Sequence, residues 1–364
     1  MASDPYAEPP PLPGGGAIAG EAGAPPAPEG VAIEGRSPTY LAWRRLRRNK
    51  LALGFAGLFI AIVLFCLAAP LWAHDVAHTG PDDQHLTQKI TLHGNPTYVV
   101  DPTGIPLGPG LHWKYLLGAD QSGRDVMVRL MYGGRNSLYI GIMAALVMSV
   151  LGVALGLIAG YRRGWADAVT MRTMDVIWAF PVLLLAIAIS TAIAASGTGL
   201  RLGFVTIAGD SLWIPILIIG VVYVPYICRV VRGEVLALRE KEFVEAAVAQ
   251  GKGPLRIMFG ELLPNLWSTI IVFFTLNIAN AMLLEAALSF LGVGVQPPEA
   301  SWGNMASDGF SVIYSSPHLV LIPALMIMLT VLSLNVFGDG LRDALDPRAK
   351  IRLEAQATAE EAGP

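Results

Sequence analysis

Three polar side chains interrupt one apolar run: Asn277, Asn280 and Glu285. A carboxyl in such a run is expensive to hold in lipid and is a functional candidate by default. Asn277 and Asn280 are three residues apart and share one helix face. One reading has the trio lining a translocation path. The other has them holding a helix bundle together by interhelical hydrogen bonds. A third task for Glu285 is proton carriage in a self-sufficient secondary transporter. Asp175 stands near the end of another apolar run, where hydration is easier.

A second stretch, "EFVEAAVAQGKGPLRIMFGELLPN" (242–265), lies between two long apolar runs. Leu, Ala, Glu and Arg dominate Glu234 to Gln250, which favours helix. Gly251 supplies a position free for positive φ that ends it. Gly253-Pro254 turns the chain; Pro254 starts a second short helix and Pro264 ends it. Ala246, Ala247 and Ala249 leave a surface of little bulk, suited to a groove on another protein. The stretch reads as a coupling knob through which a soluble partner moves the spans, or as an ordinary loop.

Other chemistry is missing from the sequence. There is no G-x-x-x-x-G-K-[ST], and "GKGP" (251–254) lacks both the upstream glycine and the hydroxyl residue. G-x-S-x-G and H-E-x-x-H are absent too. Five of the six histidines fall between 74 and 112, and His74 and His78 stand i, i+4. With no Cys or carboxylate cluster beside them they read as surface histidines rather than a metal site. Cys66 and Cys228 lie in apolar runs and read as buried thiols, not a disulfide framework.

These residues need a membrane scaffold to position them. The chain has 364 residues, 54% hydrophobic and only 15% charged, with mean hydropathy +0.54 and net charge −3. That is a polytopic membrane protein, and the charge gives no reason to expect nucleic acid. Apolar runs place six spans at about 51–73, 138–160, 174–196, 211–231, 267–292 and 318–338. Of the 25 lysines and arginines, 19 fall in segments that share a side with the N-terminus. Both termini are therefore expected in the cytoplasm.

Residues 1–36, rich in Pro, Gly and Ala, read as a disordered cytoplasmic tail and not a signal peptide. Residues 37–50 read as a basic interfacial helix begun by Ser37-Pro38, and 51–73 as an uncleaved anchor. Residues 74–137 read as a small folded extracytoplasmic insert. Residues 138–338 form the five-helix core, with the coupling loop at 234–265, and 339–364 a cytoplasmic tail. Pro181, Pro215 and Pro225 mark kinks or close contacts. Gly152, Gly156 and Gly160 form a flat stripe for close helix packing.

Several segments together resemble a known family. "EAAVAQG" followed by "LLPN" resembles the E-A-A-x-x-x-G-x(9)-I-x-L-P loop of permease subunits of bacterial ABC importers. Glu245, Ala246, Ala247, Gly251, Leu263 and Pro264 match it, and Glu261 stands where Ile or His is usual. "LGADQSGRDVMVRLMYGGRNSL" (117–138), "MDVIWAFPVLLLAI" (174–187), "LSFLGVGVQPPEASWGNM" (288–305) and "FGDGLRDALDPR" (337–348) look like the dipeptide/oligopeptide branch, C-type permease. Ala119 replaces the usual Thr.

The resemblance implies an all-α membrane protein with six transmembrane helices, the type I ABC importer permease fold and a small extracytoplasmic insert. It implies a pore-forming subunit in a bacterial plasma membrane. Its partners would be a second permease, two cytoplasmic ATPase subunits docked on the loop at Glu245–Gly251, and an extracytoplasmic binding protein that delivers peptide. ATP and Mg would be held by the ATPases, with no cofactor in this chain. A nickel chelate or glutathione fits the same architecture. A scaffold without transport would leave the polar residues and the loop without a task.

Overall fold

A computed structural model of the chain describes residues 38–92, 95–110, 113–197, 199–202 and 205–345. The expected tail at 1–36 lies outside the described residues, as do residues 346–364 of the tail expected at 339–364, whose first residues, 339–345, belong to the last helix. Helix α1 (Pro38–Arg48) is followed by α2 (Lys50–Leu67), where the side chain of Asn49 accepts from the Ala52 N–H at 3.0 Å. Such a cap satisfies one of the amide donors that every helix start leaves free. A short turn, α3 (Ala69–Leu71), and a π-turn (Trp72–Ala77) end at His78 in the left-handed region, φ 49°. His74 and His78 therefore share no regular α-helical face.

The insert that follows has its own small core. Strands β1 (Lys89–Leu92) and β2 (Asn95–Tyr98) pair antiparallel, with Lys89 opposite Tyr98. Ile90, Val99, Tyr115 and Ala119 are buried together behind them. The insert closes on Asp125, whose carboxylate accepts from the N–H of Tyr115 at 2.7 Å, Met127 at 2.8 Å and Val128 at 3.1 Å. Asp125 thereby caps α4 (Val126–Arg162). The helix begins twelve residues before the expected span at 138, because the apolar stretch is preceded by a capped polar helix that hydropathy does not register.

The remaining helices are α5 (Gly164–Trp178), α6 (Val182–Ala195), α7 (Trp213–Val222), α8 (Val224–Leu238), α9 (Glu242–Ala249), α10 (Pro254–Ile257), α11 (Leu263–Phe290), α12 (Trp302–Phe310) and α13 (His318–Leu345). A small hairpin, β3 (Leu200–Leu202) with β4 (Val205–Ile207), connects α6 to α7. Among the described residues four continuous apolar helices are long enough to cross a membrane, and two bent pairs bring the number to six. Helices α5 and α6 meet at 87°, and α7 and α8 at 42°.

The span expected at 174–196 is interrupted at Pro181, which donates no N–H and disfavours helix in the residue before it, so the chain turns there. Pro225, in the first turn of α8, marks the second bend. Pro215 causes no kink, since it stands in the first turn of α7, where no intrahelical N–H is required. Among the described residues, Pro323 lies inside a helix, α13.

The glycine stripe of α4 lies against α8. A Cβ built on Gly152 would come within 1.9 Å of Ile227 Cγ2, on Gly156 within 2.8 Å of the Cys228 carbonyl, and on Gly160 within 2.7 Å of Val235 Cβ. The main apolar core joins α2, α4, α8, α11, α12 and α13, and a second cluster joins α4, α6, α7 and α11. Both cysteines are free and buried.

Candidate functional site

The expected knob is built from α9, a glycine turn, α10 and a π-turn (Met258–Leu262) that runs into α11. Two expectations change. The helix expected over Glu234–Gln250 breaks at Arg239–Lys241. The Arg239 guanidinium donates to the Tyr161 carbonyl at 2.7 Å, and Arg163 pairs with Glu240 at 2.6 Å. These contacts with the α4–α5 turn hold the break, and residue-by-residue propensity does not contain them. Pro264 also fails to end a helix. The preceding turn is wide, with the Leu263 N–H reaching back five residues to the Met258 carbonyl. Pro264 then occupies the first turn of α11, where its missing donor costs nothing.

Gly251 has φ +74°, and the N–H groups of Gly251 and Lys252 bond back to the carbonyls of Val248 at 2.9 Å and Ala247 at 3.1 Å. This closes the free carbonyls at the end of α9. No neighbouring atom lies within 4 Å of a Cβ built there, so the backbone conformation is what calls for glycine. Lys252 Nζ spans the turn to Glu261 Oε1 at 2.6 Å.

The helix has two faces. Val244 and Ala247 are buried, joined to Ile257, Met258, Leu262 and Leu266 in the main core. Glu245, Ala246 and Ala249 are exposed. The alanines therefore divide: Ala247 roots the knob, while Ala246 and Ala249 line its outer side. Leu263 is half-buried and Pro264 exposed. Phe243, Val248, Leu255 and Phe259 extend the exposed apolar surface. Sequence reading passed over these four, although their exposure beside a polar helix face is the kind of patch that marks a protein contact.

The intramembrane trio divides as well. Glu285 is 0% exposed and sits between helices of this chain. Its Oε1 accepts from Ser289 Oγ at 2.7 Å, and the hydroxyls of Ser137 and Ser301 lie beside the same carboxyl. Ser137 belongs to α4, and Ser301 caps α12 in a capping box with Asn304. The Trp302 N–H bonds to Ser137 Oγ at 3.2 Å, and its indole N–H to the Leu130 carbonyl at 2.9 Å. Glu285 thus gathers α4, α11 and α12 at one point. Asn277 is buried eight residues away, and Asn280 Nδ2 reaches its Oδ1 at 3.4 Å. The three serines carry no periodic signal and lie 137, 289 and 301 along the chain, which hides them from sequence reading.

At the end of the bundle that holds the insert, a charged cluster lines a cavity of about 290 Å³. Arg124 pairs with Asp120 at 2.6 Å and Asp308 at 3.4 Å, and Arg129 with Asp82 at 3.2 Å. The cluster ties the insert to α12. Burial pushes the Asp125 carboxyl nearby above the usual carboxylate range, against the backbone hydrogen bonds and Lys114, which lower it.

Residues 152–351 match the family described as binding-protein-dependent transport system inner membrane component. Residues 37–93 match the N-terminal TM domain of oligopeptide transport permease C. The chain is 40% identical to the dipeptide transport system permease protein DppC of Alkalihalophilus pseudofirmus, over 86% of this chain and 91% of that protein. It is 38% identical to the glutathione transport system permease protein GsiD of Pectobacterium atrosepticum, over 86% and 93%. Among solved structures, an inward-facing MetNI methionine ABC transporter aligns over 61% of this chain and 98% of that chain, at 18% identity and TM-score 0.48. The chain belongs to the family of inner membrane components of binding-protein-dependent transport systems.

Proposed function

We propose that the chain is one of two pore-forming permease subunits of an ATP-driven importer of short peptides. The observation that carries this reading is the knob. Its outer side offers small and apolar residues with Glu245 among them, and its inner side continues into the core of the spans. A force applied to α9 by a soluble partner reaches α8 and α11 through packed side chains, without a flexible joint.

ATP and Mg belong to two partner ATPases in this reading, and the chain has no hydrolytic site of its own. The end with α9 faces the cytoplasm, together with both termini. The insert and α12 face outward and meet the binding protein that delivers peptide. Glu245, Ala246, Ala247, Gly251, Leu263 and Pro264 form the coupling element. The burial of Glu285 among serines of its own chain supports a helix clamp over proton carriage. Asn280, half-buried, is the member of the trio best placed for a path.

Dipeptides are the first substrate class. Glutathione is the second reading, favoured by the 38% identity to a glutathione permease. The test is purification of the tagged chain, co-expressed with its neighbouring transport genes, in mild detergent. Wild type is expected to bring down a second permease and ATPases, with ATPase activity stimulated by loaded binding protein. Dipeptide against glutathione as the load separates the two substrates. A chain that purifies alone and still transports contradicts the reading.

A further inference from the structure

Helix α5 is held differently from its neighbours. Only Ala166 and Met174 of its 15 residues are buried. Both of its ends are joints. At one, Arg163 and Gly164 both take positive φ, 55° and 60°; at the other, the chain turns by 87° before Pro181. Helix α8, by contrast, is fixed to α4 along the glycine stripe. Met174, with Met171 and Ile177 beside it, packs on Val224 and Cys228 of α8 in a small apolar cluster, and a row of polar and aromatic contacts runs along the flank of the two helices. Arg232 grips Asp167 with two hydrogen bonds, at 2.5 and 2.7 Å. Arg229 donates to Asp175 at 2.8 Å and lies 4.1 Å from the centre of the Trp178 ring. Trp178 meets Tyr226 edge-on at 4.9 Å, and Tyr226 meets Tyr223 at 5.2 Å. Trp178 closes α5 at its bend and Tyr223 is the break between α7 and α8, so the row ties the two bends together.

We propose that α5 is a latched gate helix, held shut against α8 by the pairs Arg229–Asp175 and Arg232–Asp167, with Trp178 and Tyr226 at the moving joint. The proposal deepens the importer reading and rests on it for what passes the gate. The physics suits a reversible closure. Solvent-reached ion pairs and one cation–aromatic contact each contribute little, and the apolar cluster beneath them is small, so the latch separates at low cost. A buried apolar seam such as that between α4 and α8 offers no such low-cost separation. Because α9 follows α8 after only three residues, displacement of the knob strains this latch directly. Asp175, Arg229, Asp167 and Arg232 are positioning residues in this account.

The test uses the assembled complex in proteoliposomes, with Cys66 and Cys228 replaced by alanine and spin labels at Arg172→Cys on α5 and Ala237→Cys on α8. Both sites are exposed. Trapping with ATP and vanadate is expected to add a second, resolved label distance absent from the resting complex. The doubly neutralised variant, Arg229→Gln with Arg232→Gln, is expected to raise ATPase activity without peptide several-fold and to abolish its stimulation. Arg229→Asp alone is expected to lose stimulation and the swap Asp175→Arg with Arg229→Asp to restore it, which general destabilisation would not allow. A complex that takes up peptide while the label distance stays single and unchanged overturns the latch. The distance requires no transported substrate, so two distances in a complex that imports no peptide overturn the peptide reading and leave the latch standing.

Discussion

Gly251 shows what one residue decides here. Its φ of +74° is a region where a β-branched side chain is strained by roughly 1–2 kcal/mol, and its surroundings are open. Gly251→Val is therefore expected to leave the protein folded and inserted while re-aiming the turn between α9 and α10. The expected result is at least a severalfold loss of co-purified ATPase with unchanged membrane yield, read by quantitative gel analysis of the purified complex. Normal recovery of the ATPases would remove Gly251 from the coupling element. Glu285 makes a different demand. Glu285→Leu would leave the buried Ser289 hydroxyl without its acceptor, at about 1–3 kcal/mol. Glu285→Gln keeps an acceptor of the same shape. We expect the leucine variant to melt clearly below wild type in detergent and the glutamine variant to stay close to it and retain uptake. Loss of uptake in a stable glutamine variant would return Glu285 to proton chemistry.

At the scale of elements, α4 and α8 meet along a closely packed seam of glycines. Gly156→Ala places a methyl within 2.8 Å of the Cys228 carbonyl and of Val231 Cβ, so the helices must separate. Overpacking of this kind costs roughly 1–3 kcal/mol. The matched control is Gly57→Ala in α2, where a Cβ meets nothing within 4 Å and helix propensity improves. Thermal melting should separate the two variants, and equal behaviour would show that the seam is not tight. The seam was legible in the sequence because a four-residue repeat of glycine needs no partner to be seen. So were the bends at Pro181 and Pro225, where a missing amide acts locally. The break after Leu238 was not, because Tyr161 and Arg163 hold it from a distant part of the chain. Nor was the passage of helix through Pro264, which depends on a π-turn that no propensity scale contains. The site divides in the same way: Gly251 announces its turn, whereas Glu285 gives no hint of the three serines around it.

At the scale of the molecule, the bundle separates three tasks along its length. One end carries the knob, rooted in the core by Val244 and Ala247. The middle is stitched at Glu285. The other end holds the insert to α12 through Arg124, Asp120 and Asp308. Work done on the knob is in this way delivered to helices that also carry the opposite face. In the proposed reading, force comes from a partner at α9. The most direct test is uptake of a labelled dipeptide into proteoliposomes holding either this chain alone or this chain with the second permease, the ATPases and the binding protein. The account predicts ATP-dependent uptake by the complete complex and none by the chain alone, with or without a proton gradient. Gradient-driven uptake by the chain alone would contradict it.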